Sequence, residues 1–195
     1  MPMRTHDKAS QAKLTPADAL NYLMEGNARF VSNLKANRNL LQQVNDTSDG
    51  QHPFAVILSC MDSRTSAELI FDQGLGDIFS IRIAGNFVSD NILGSIEYAV
   101  AVAGAKLILV LGHTGCGAIN GAINDVRLGY LTGTLSNIKP AVERTPKDDG
   151  SGIPYSDRVA SANVCVAIDN IVGKSEVLQA LMNEGKVGVA GGMYD

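Results

Sequence analysis

Three short runs of consecutive apolar residues alternate with stretches of helical periodicity in the middle of the chain. The apolar runs are residues 54–59, 78–81 and 107–111. Runs of this length are typical of strands buried on both faces, and the intervening residues 66–71 and 91–103 have the spacing of helices. Because parallel strands are joined by crossover helices, this order predicts an α/β fold with a mostly parallel central sheet.

The flanks of this region extend the same pattern. Thr15 followed by Pro16 is typical of a helix start, and apolar residues then recur at helical spacing to about Phe30. Residues 38–51 are polar and predict a linker or a surface arm. After the third strand, helices are predicted over 118–128, 136–144, 155–172 and 175–184, with a last strand over 186–192.

These elements predict a single domain with two regions. Residues 1–50 form an N-terminal helical arm, and residues 51–195 form one α/β catalytic unit with helices flanking the sheet. A chain of 195 residues with 45% hydrophobic content is sufficient for one such core.

Composition excludes several function classes. The formal charge is −4 and the basic residues are scattered, so no nucleic-acid or anionic-membrane partner is indicated. No apolar run approaches the roughly 20 residues of a membrane span, and the first residues lack the apolar segment of a secretion signal. Three cysteines are typical of a reducing compartment, so we expect a soluble, cytoplasmic protein.

Two cysteines and a histidine follow predicted parallel strands. Cys60 comes directly after the first strand, and His113 and Cys116 come after the third. Because ligand sites in parallel sheets lie at the carboxyl ends of the strands, the three side chains are expected to meet. Thiolate and imidazole are preferred zinc ligands, and three protein ligands leave a position for water. The sequence therefore predicts one catalytic zinc ion per chain, although buried core thiols and a loop histidine are the alternative.

A carboxylate and a guanidinium lie beside the first cysteine. Asp62 either takes the fourth zinc position, which closes the site, or is held away by Arg64, which leaves the zinc open. We expect the open arrangement, with Asp62 orienting the nucleophile and Arg64 orienting Asp62. Cys165 lies in an apolar helical stretch with no second ligand nearby, and is predicted to pack in the core.

The two motifs together resemble the β-class carbonic anhydrases, and their plant-like branch in particular. The family signatures are Cys-x-Asp-x-Arg, here residues 60–64, and His-x-x-Cys, here residues 113–116. The similarity extends over roughly residues 15–195 and includes the segments 51–53, 76–79, 82–86 and 94–100. The chain contains no tryptophan, which the bicarbonate-regulated branch uses in its inhibitory site.

This resemblance implies an activity, a cofactor and an assembly. Zinc-bound hydroxide would attack carbon dioxide to give bicarbonate and a proton. Gln51 matches a substrate-binding glutamine, and Phe79 and Tyr98 match aromatic residues that reach the pocket from a neighbouring subunit. Family members are dimers or tetramers that exchange N-terminal helices, so residues 14–30 are expected to reach across to a partner.

Three other functions are compatible with parts of this pattern. Carbonyl sulfide or carbon disulfide hydrolases use the same zinc motif. A non-catalytic zinc-binding assembly module would result if Asp62 closed the site permanently. A thiol redox protein would pair Cys60 with Cys116, but the chain lacks the Cys-x-x-Cys motif of that class.

Overall fold

A four-stranded parallel sheet forms the centre of the computed structural model, which describes residues 5–195. The strands are β1 (Ala55–Ser59), β2 (Ile78–Arg82), β3 (Leu107–His113) and β4 (Gly188–Tyr194). Their order is β2-β1-β3-β4, and each neighbouring pair is parallel. The predicted α/β fold with a parallel central sheet is confirmed, and β1 and β3 are its two central strands.

Ten α-helices surround the sheet in the described residues. Three precede it: α1 (Lys8–Ala12), α2 (Pro16–Val31) and α3 (Leu40–Asp46). Two lie between the first three strands: α4 (Ala67–Ile70) and α5 (Asp90–Glu97), which continues as a π-helical turn over Tyr98–Val102. Five follow β3: α6 (Gly117–Ile123), α7 (Gly129–Ser136), α8 (Lys139–Arg144), α9 (Tyr155–Lys174) and α10 (Glu176–Asn183).

The start of α2 follows the sequence signal. The Thr15 hydroxyl accepts a hydrogen bond from the Asp18 backbone N–H at 3.1 Å, and the Asp18 carboxylate accepts from the Thr15 backbone N–H at 2.9 Å. This reciprocal pair satisfies two backbone donors that a helix start leaves without partners, so it fixes where α2 begins.

Residues 38–51, predicted as a linker or a surface arm, contain the helix α3, which the sequence pattern did not predict. Asn39 caps this helix, because its side-chain oxygen accepts from the Gln42 backbone N–H at 3.1 Å. Gln43 is buried, and its side-chain oxygen accepts from the Leu75 backbone N–H at 3.2 Å. The helix is therefore stabilised by a cap and by one buried polar contact, neither of which a count of apolar residues detects. Residues 1–4 of the predicted arm lie outside the described part of the chain.

The two faces of the sheet pack against different helices. Val56, Leu58, Ile108 and Val110 lie in one core with residues of α5, α9 and α10. The alternate residues of β1 and β3 lie in a second core with α2 and α4. Because both faces are covered, all residues of β1 and β3 are buried, which explains their continuous apolar runs.

The helices after β3 differ from prediction in extent. The helix predicted over 118–128 ends at Ile123, and Asp125 adopts a positive φ of 50° after it. The helix predicted over 136–144 corresponds to α8, which begins at Lys139, and the preceding helix α7 was not predicted. Cys165 is exposed on α9, so its predicted core packing is wrong. Its neighbours Val164 and Val166 are buried, and the long helix turns Cys165 to the other side.

No helix in the described range 5–195 is long and apolar enough to cross a membrane.

Asp72 connects the N-terminal helices to the sheet region. Its carboxylate accepts hydrogen bonds from Arg29 Nε at 2.5 Å, Arg38 Nη1 at 2.7 Å and the Ala36 backbone N–H at 3.0 Å. The Asp72 side chain is 10% exposed. Burial by itself would raise the pKa of Asp72, but the three hydrogen bonds outweigh burial and hold that pKa below its usual range.

We expect Asp72→Asn to lower the free energy of unfolding by about 3 kcal/mol at neutral pH, because it removes a largely buried carboxylate charge that pairs with both Arg29 and Arg38. Since the pKa of Asp72 is depressed in the folded state, its stabilisation is present above the unfolded-state pKa of about 3.9. The stabilisation is lost as the pH falls through the folded-state value. Urea unfolding at a series of pH values measures both effects.

Asp169→Asn is the matched control, because Asp169 pairs with Arg144 at 2.8 Å and both side chains are more than half exposed. That variant should change the free energy of unfolding by less than about 0.5 kcal/mol. Equal losses in the two variants would contradict a special role for Asp72.

Candidate metal centre

Cys60, His113 and Cys116 form a buried cluster at the carboxyl ends of β1 and β3. Their ligand atoms all lie within 4.8 Å of one another, and the two sulfur atoms are 3.9 Å apart. Cys60 follows β1, His113 ends β3 and Cys116 precedes the first residue of α6. Because β1 and β3 are adjacent and parallel, the sheet brings the two distant motifs to one place.

The histidine of this cluster is oriented for ligation. His113 Nδ1 lies 2.9 Å from the Thr114 carbonyl oxygen, so this contact assigns the ring proton to Nδ1. Nε2 then carries the free lone pair. Among the described residues it has no hydrogen-bond partner, although it is buried. A buried nitrogen without a partner is costly, and a metal ion bound to Nε2 would remove that cost.

The two thiols impose an electrostatic constraint. A hydrogen bond from Cys116 lowers the pKa of Cys60, and the nearby Cys60 sulfur together with burial raises the pKa of Cys116. One thiolate is therefore readily formed, whereas the second requires a positive charge beside it. The interaction with Cys60 also raises the pKa of His113. Two thiolates and a neutral imidazole are a donor set that fits Zn²⁺.

The loop that carries His113 and Cys116 is fixed by contacts from distant elements. The Thr114 backbone N–H donates to the Tyr194 carbonyl at 3.0 Å, and the Gly115 N–H donates to Asp157 Oδ1 at 3.0 Å. Gly115 has a positive φ of 62°, which a residue with a side chain rarely adopts. Sequence reasoning missed Asp157, whose only signal is an acidic residue in the first turn of α9.

Asp62 faces Arg64 rather than the cluster. Arg64 Nε lies 2.9 Å from Asp62 Oδ1, and Arg64 Nη2 lies 2.7 Å from Oδ2, which is a bidentate pair. The Arg64 backbone N–H also donates to Oδ1 at 3.0 Å. These hydrogen bonds hold the pKa of Asp62 well below its usual range, so the carboxylate stays ionised at neutral pH. The three-residue cluster does not include Asp62.

The other three predicted site residues lie away from this cluster within one chain. Gln51 precedes β1, so it is at the amino end of the strand that has Cys60 at its carboxyl end. Phe79 pairs with Val56, near the start of β1. The rings of Phe79 and Tyr98 are 6.3 Å apart and line a groove of about 450 Å³ beside the edge strand β2. The fold brings together Phe79 and Tyr98, but it does not bring either to the chain's own cysteines.

Comparisons with known proteins agree on one family. The family model described as carbonic anhydrase matches residues 55–195. Carbonic anhydrase 2 of Mycobacterium tuberculosis is 38% identical over 92% of this chain and 88% of its own length. A carbonic anhydrase of Mycolicibacterium smegmatis is 33% identical over the same shares of the two chains.

Solved structures are also similar to this chain. A Coccomyxa β-carbonic anhydrase in complex with acetazolamide has a TM-score of 0.69 and 25% identity, and the match covers 90% of this chain and 81% of that one. One of two tetrameric β-carbonic anhydrases from Sordaria macrospora has a TM-score of 0.68 and 25% identity, with 91% and 92% covered.

We expect the purified chain to bind one Zn²⁺ ion, and Cys60→Ser to weaken that binding by more than about 100-fold, since even residues that only support a ligand are worth 10- to 100-fold. Competition with a chromophoric chelator measures the affinity. Cys165→Ser is the matched control, because Cys165 is exposed and lies outside the cluster. Equal affinities for Cys60→Ser and Cys165→Ser would rule out this cluster as the binding site.

Proposed function

Because the chain belongs to the β class of the carbonic anhydrase family, we propose that it hydrates carbon dioxide reversibly at one zinc ion held by Cys60, His113 and Cys116. The observation that carries this proposal is the convergence of three buried ligand atoms within 4.8 Å, from two motifs at the ends of adjacent strands. The products of the reaction are bicarbonate and a proton.

Three protein ligands would leave a position for water, as in catalytic rather than structural zinc sites. A zinc ion held here would lower the pKa of a water molecule to about 7, a value known from carbonic anhydrase itself, and so would supply the nucleophile near neutral pH. His113 would hold the ion through Nε2, because its Nδ1 proton is bonded to the Thr114 carbonyl. Thiolate ligands must stay reduced, which supports a cytoplasmic location.

Asp62 and Arg64 are proposed to control the remaining position. The bidentate hydrogen bonds from Arg64 keep the Asp62 carboxylate ionised and turned away from the cysteines. An ionised carboxylate accepts hydrogen bonds but cannot donate, so Asp62 would orient the nucleophile by accepting a hydrogen bond from it. Asp62 would be a fourth ligand only in a closed state, in which it has released Arg64. This geometry supports the open, plant-like arrangement.

A second subunit is proposed to complete the site. Gln51, Phe79 and Tyr98 cannot reach the cysteines of their own chain, which supports a role as substrate-binding residues in the site of a partner. The N-terminal helices and the residues after α2 expose several large apolar side chains. These are Met24, Val31, Leu34, Leu40 and Leu41, each more than half exposed. Such a surface is typical of protein interfaces, so residues 1–50 are proposed as an arm that packs on a partner in a dimer or tetramer.

Stopped-flow measurement of carbon dioxide hydration with a pH indicator tests the activity. We expect zinc-loaded protein to be active and Cys60→Ser to fall to the uncatalysed rate. Cys165→Ser should retain full activity, because Cys60 lies in the cluster and Cys165 does not. Carbonyl sulfide and carbon disulfide are the comparison substrates. Zinc-loaded protein that hydrolyses either of these but does not hydrate carbon dioxide would overturn the assignment.

Mixing two inactive variants tests the shared site. Cys60→Ser removes a metal ligand but keeps Tyr98, whereas Tyr98→Ala keeps the metal ligands. If Tyr98 serves the partner, the mixed dimer contains one intact site, so unfolding and refolding the variants together should restore activity. If Tyr98 serves its own chain, both sites of the mixed dimer remain defective. Activity no higher than that of the separate variants would contradict the shared site.

A further inference from the structure

Arg82, the last residue of β2, bridges two backbone carbonyls beside the metal centre. Its Nε lies 3.1 Å from the Cys60 carbonyl oxygen, and its Nη2 lies 2.5 Å from the Asp62 carbonyl oxygen. These two carbonyls belong to the first metal ligand and to the carboxylate that Arg64 holds. One planar guanidinium therefore connects the backbone of two residues in the proposed site.

The same two carbonyls have a second donor. Thr65 is buried, and its hydroxyl lies 3.3 Å from the Cys60 carbonyl oxygen and 3.0 Å from the Asp62 carbonyl oxygen. The Thr65 backbone N–H also donates to the Asp62 carbonyl at 3.0 Å. Arg82 on the neighbouring strand and Thr65 in the following turn thus bind the same two oxygens.

This support is needed because residues 60–62, here called the 60–62 turn, lie beyond the end of β1. The backbone hydrogen bonds at this end of β1 are Ile83 N–H to Ser59 O at 3.1 Å and Met61 N–H to Ile83 O at 3.2 Å. Neither contact fixes the carbonyl of Cys60 or of Asp62. Rotation of those peptide groups would turn the Cys60 sulfur and the Asp62 carboxylate together.

Arg82 is not engaged in a surface ion pair in the described chain. The Glu68 carboxylate, which is within range of the Arg82 charge, accepts hydrogen bonds from Ser66 at 3.2 Å and Ser80 at 2.5 Å. Within residues 5–195, the ion pairs closer than 4.0 Å do not include Arg82. Its hydrogen bonds are directed to the 60–62 turn.

We propose that Arg82 is a positioning residue for the metal centre. It fixes the 60–62 turn so that Cys60 Sγ faces His113 and Cys116 while the Asp62 carboxylate faces Arg64. Arg82 bonds backbone carbonyls rather than the Cys60 or Asp62 side chains, so its effect passes through the two carbonyls. This role rests on the proposed zinc site and adds the residue that sets the geometry of that site.

Cobalt substitution tests this role, because the visible absorption bands of Co²⁺ report its coordination geometry. The probe is Co²⁺ alone, added to metal-free full-length protein. We expect Arg82→Gln to change the position or intensity of these bands and to weaken Co²⁺ and Zn²⁺ binding by about 10- to 100-fold, as for other residues that orient a ligand. Thermal unfolding of the metal-free protein, measured in parallel, separates this effect from a loss of stability.

Three further variants separate the role of Arg82 from other effects of substitution. Arg127→Gln is the matched control, because Arg127 is an exposed arginine paired with Asp125 and should leave the bands unchanged. Arg82→Lys keeps the charge without the planar fork and should restore part of the metal affinity. Thr65→Val removes the second donor at similar volume. It should alter the bands in the same direction, and it keeps the proposal testable if Arg82→Gln does not fold.

The outcomes distinguish this proposal from the proposed function. A wild-type chain without thiolate–cobalt bands would overturn the zinc site and the role of Arg82 with it. If the wild-type bands are normal and Arg82→Gln has the same bands, the role of Arg82 alone is overturned. If Arg82→Gln does not fold, unchanged bands in Thr65→Val overturn it. Reduced thermal stability with unchanged bands and affinity would show that Arg82 only joins β2 to β1.

Discussion

Two thiols that lie 3.9 Å apart in a protein interior cannot both ionise without a cation. Much of the structure around them serves this one constraint. Adjacent parallel strands end at the same edge of the sheet, so Cys60 and His113 lie close together although they are distant in sequence. The Thr114 carbonyl fixes the imidazole with Nε2 free for a metal. The fold thus assembles a donor set whose two thiolate charges a divalent ion would balance.

The central sheet and the convergence of Cys60, His113 and Cys116 could be predicted because their signals are local. Continuous apolar runs mark β1 and β3, and the three residues stand at or just beyond the carboxyl ends of these strands. The errors have equally specific causes. Helix α3 depends on the Asn39 cap and on one buried glutamine, which resemble a polar linker in sequence. Cys165 lies between buried valines, and only the rotation of α9 shows that it is exposed.

The residues that hold the ligand loops carry a weaker sequence signal than the ligands. Arg82 and Thr65 act on backbone carbonyls, and Asp157 acts on a backbone N–H. A backbone group has the same chemistry at every position, so no residue pattern identifies its partner. These contacts also join residues distant in sequence, as Asp157 and Gly115 are. Only the folded chain shows which polar side chains meet which loop.

The central and edge strands differ in what surrounds them. Cys60, His113 and Cys116 lie at or beyond the ends of β1 and β3, in which every residue is buried, whereas Phe79 lies on the partly exposed edge strand β2. Substitutions in a fully buried strand disturb packing on two faces. The cysteine–histidine cluster therefore stands on the part of the sheet whose packing is completed within one chain, while the edge around Phe79 is left open to contacts from outside it.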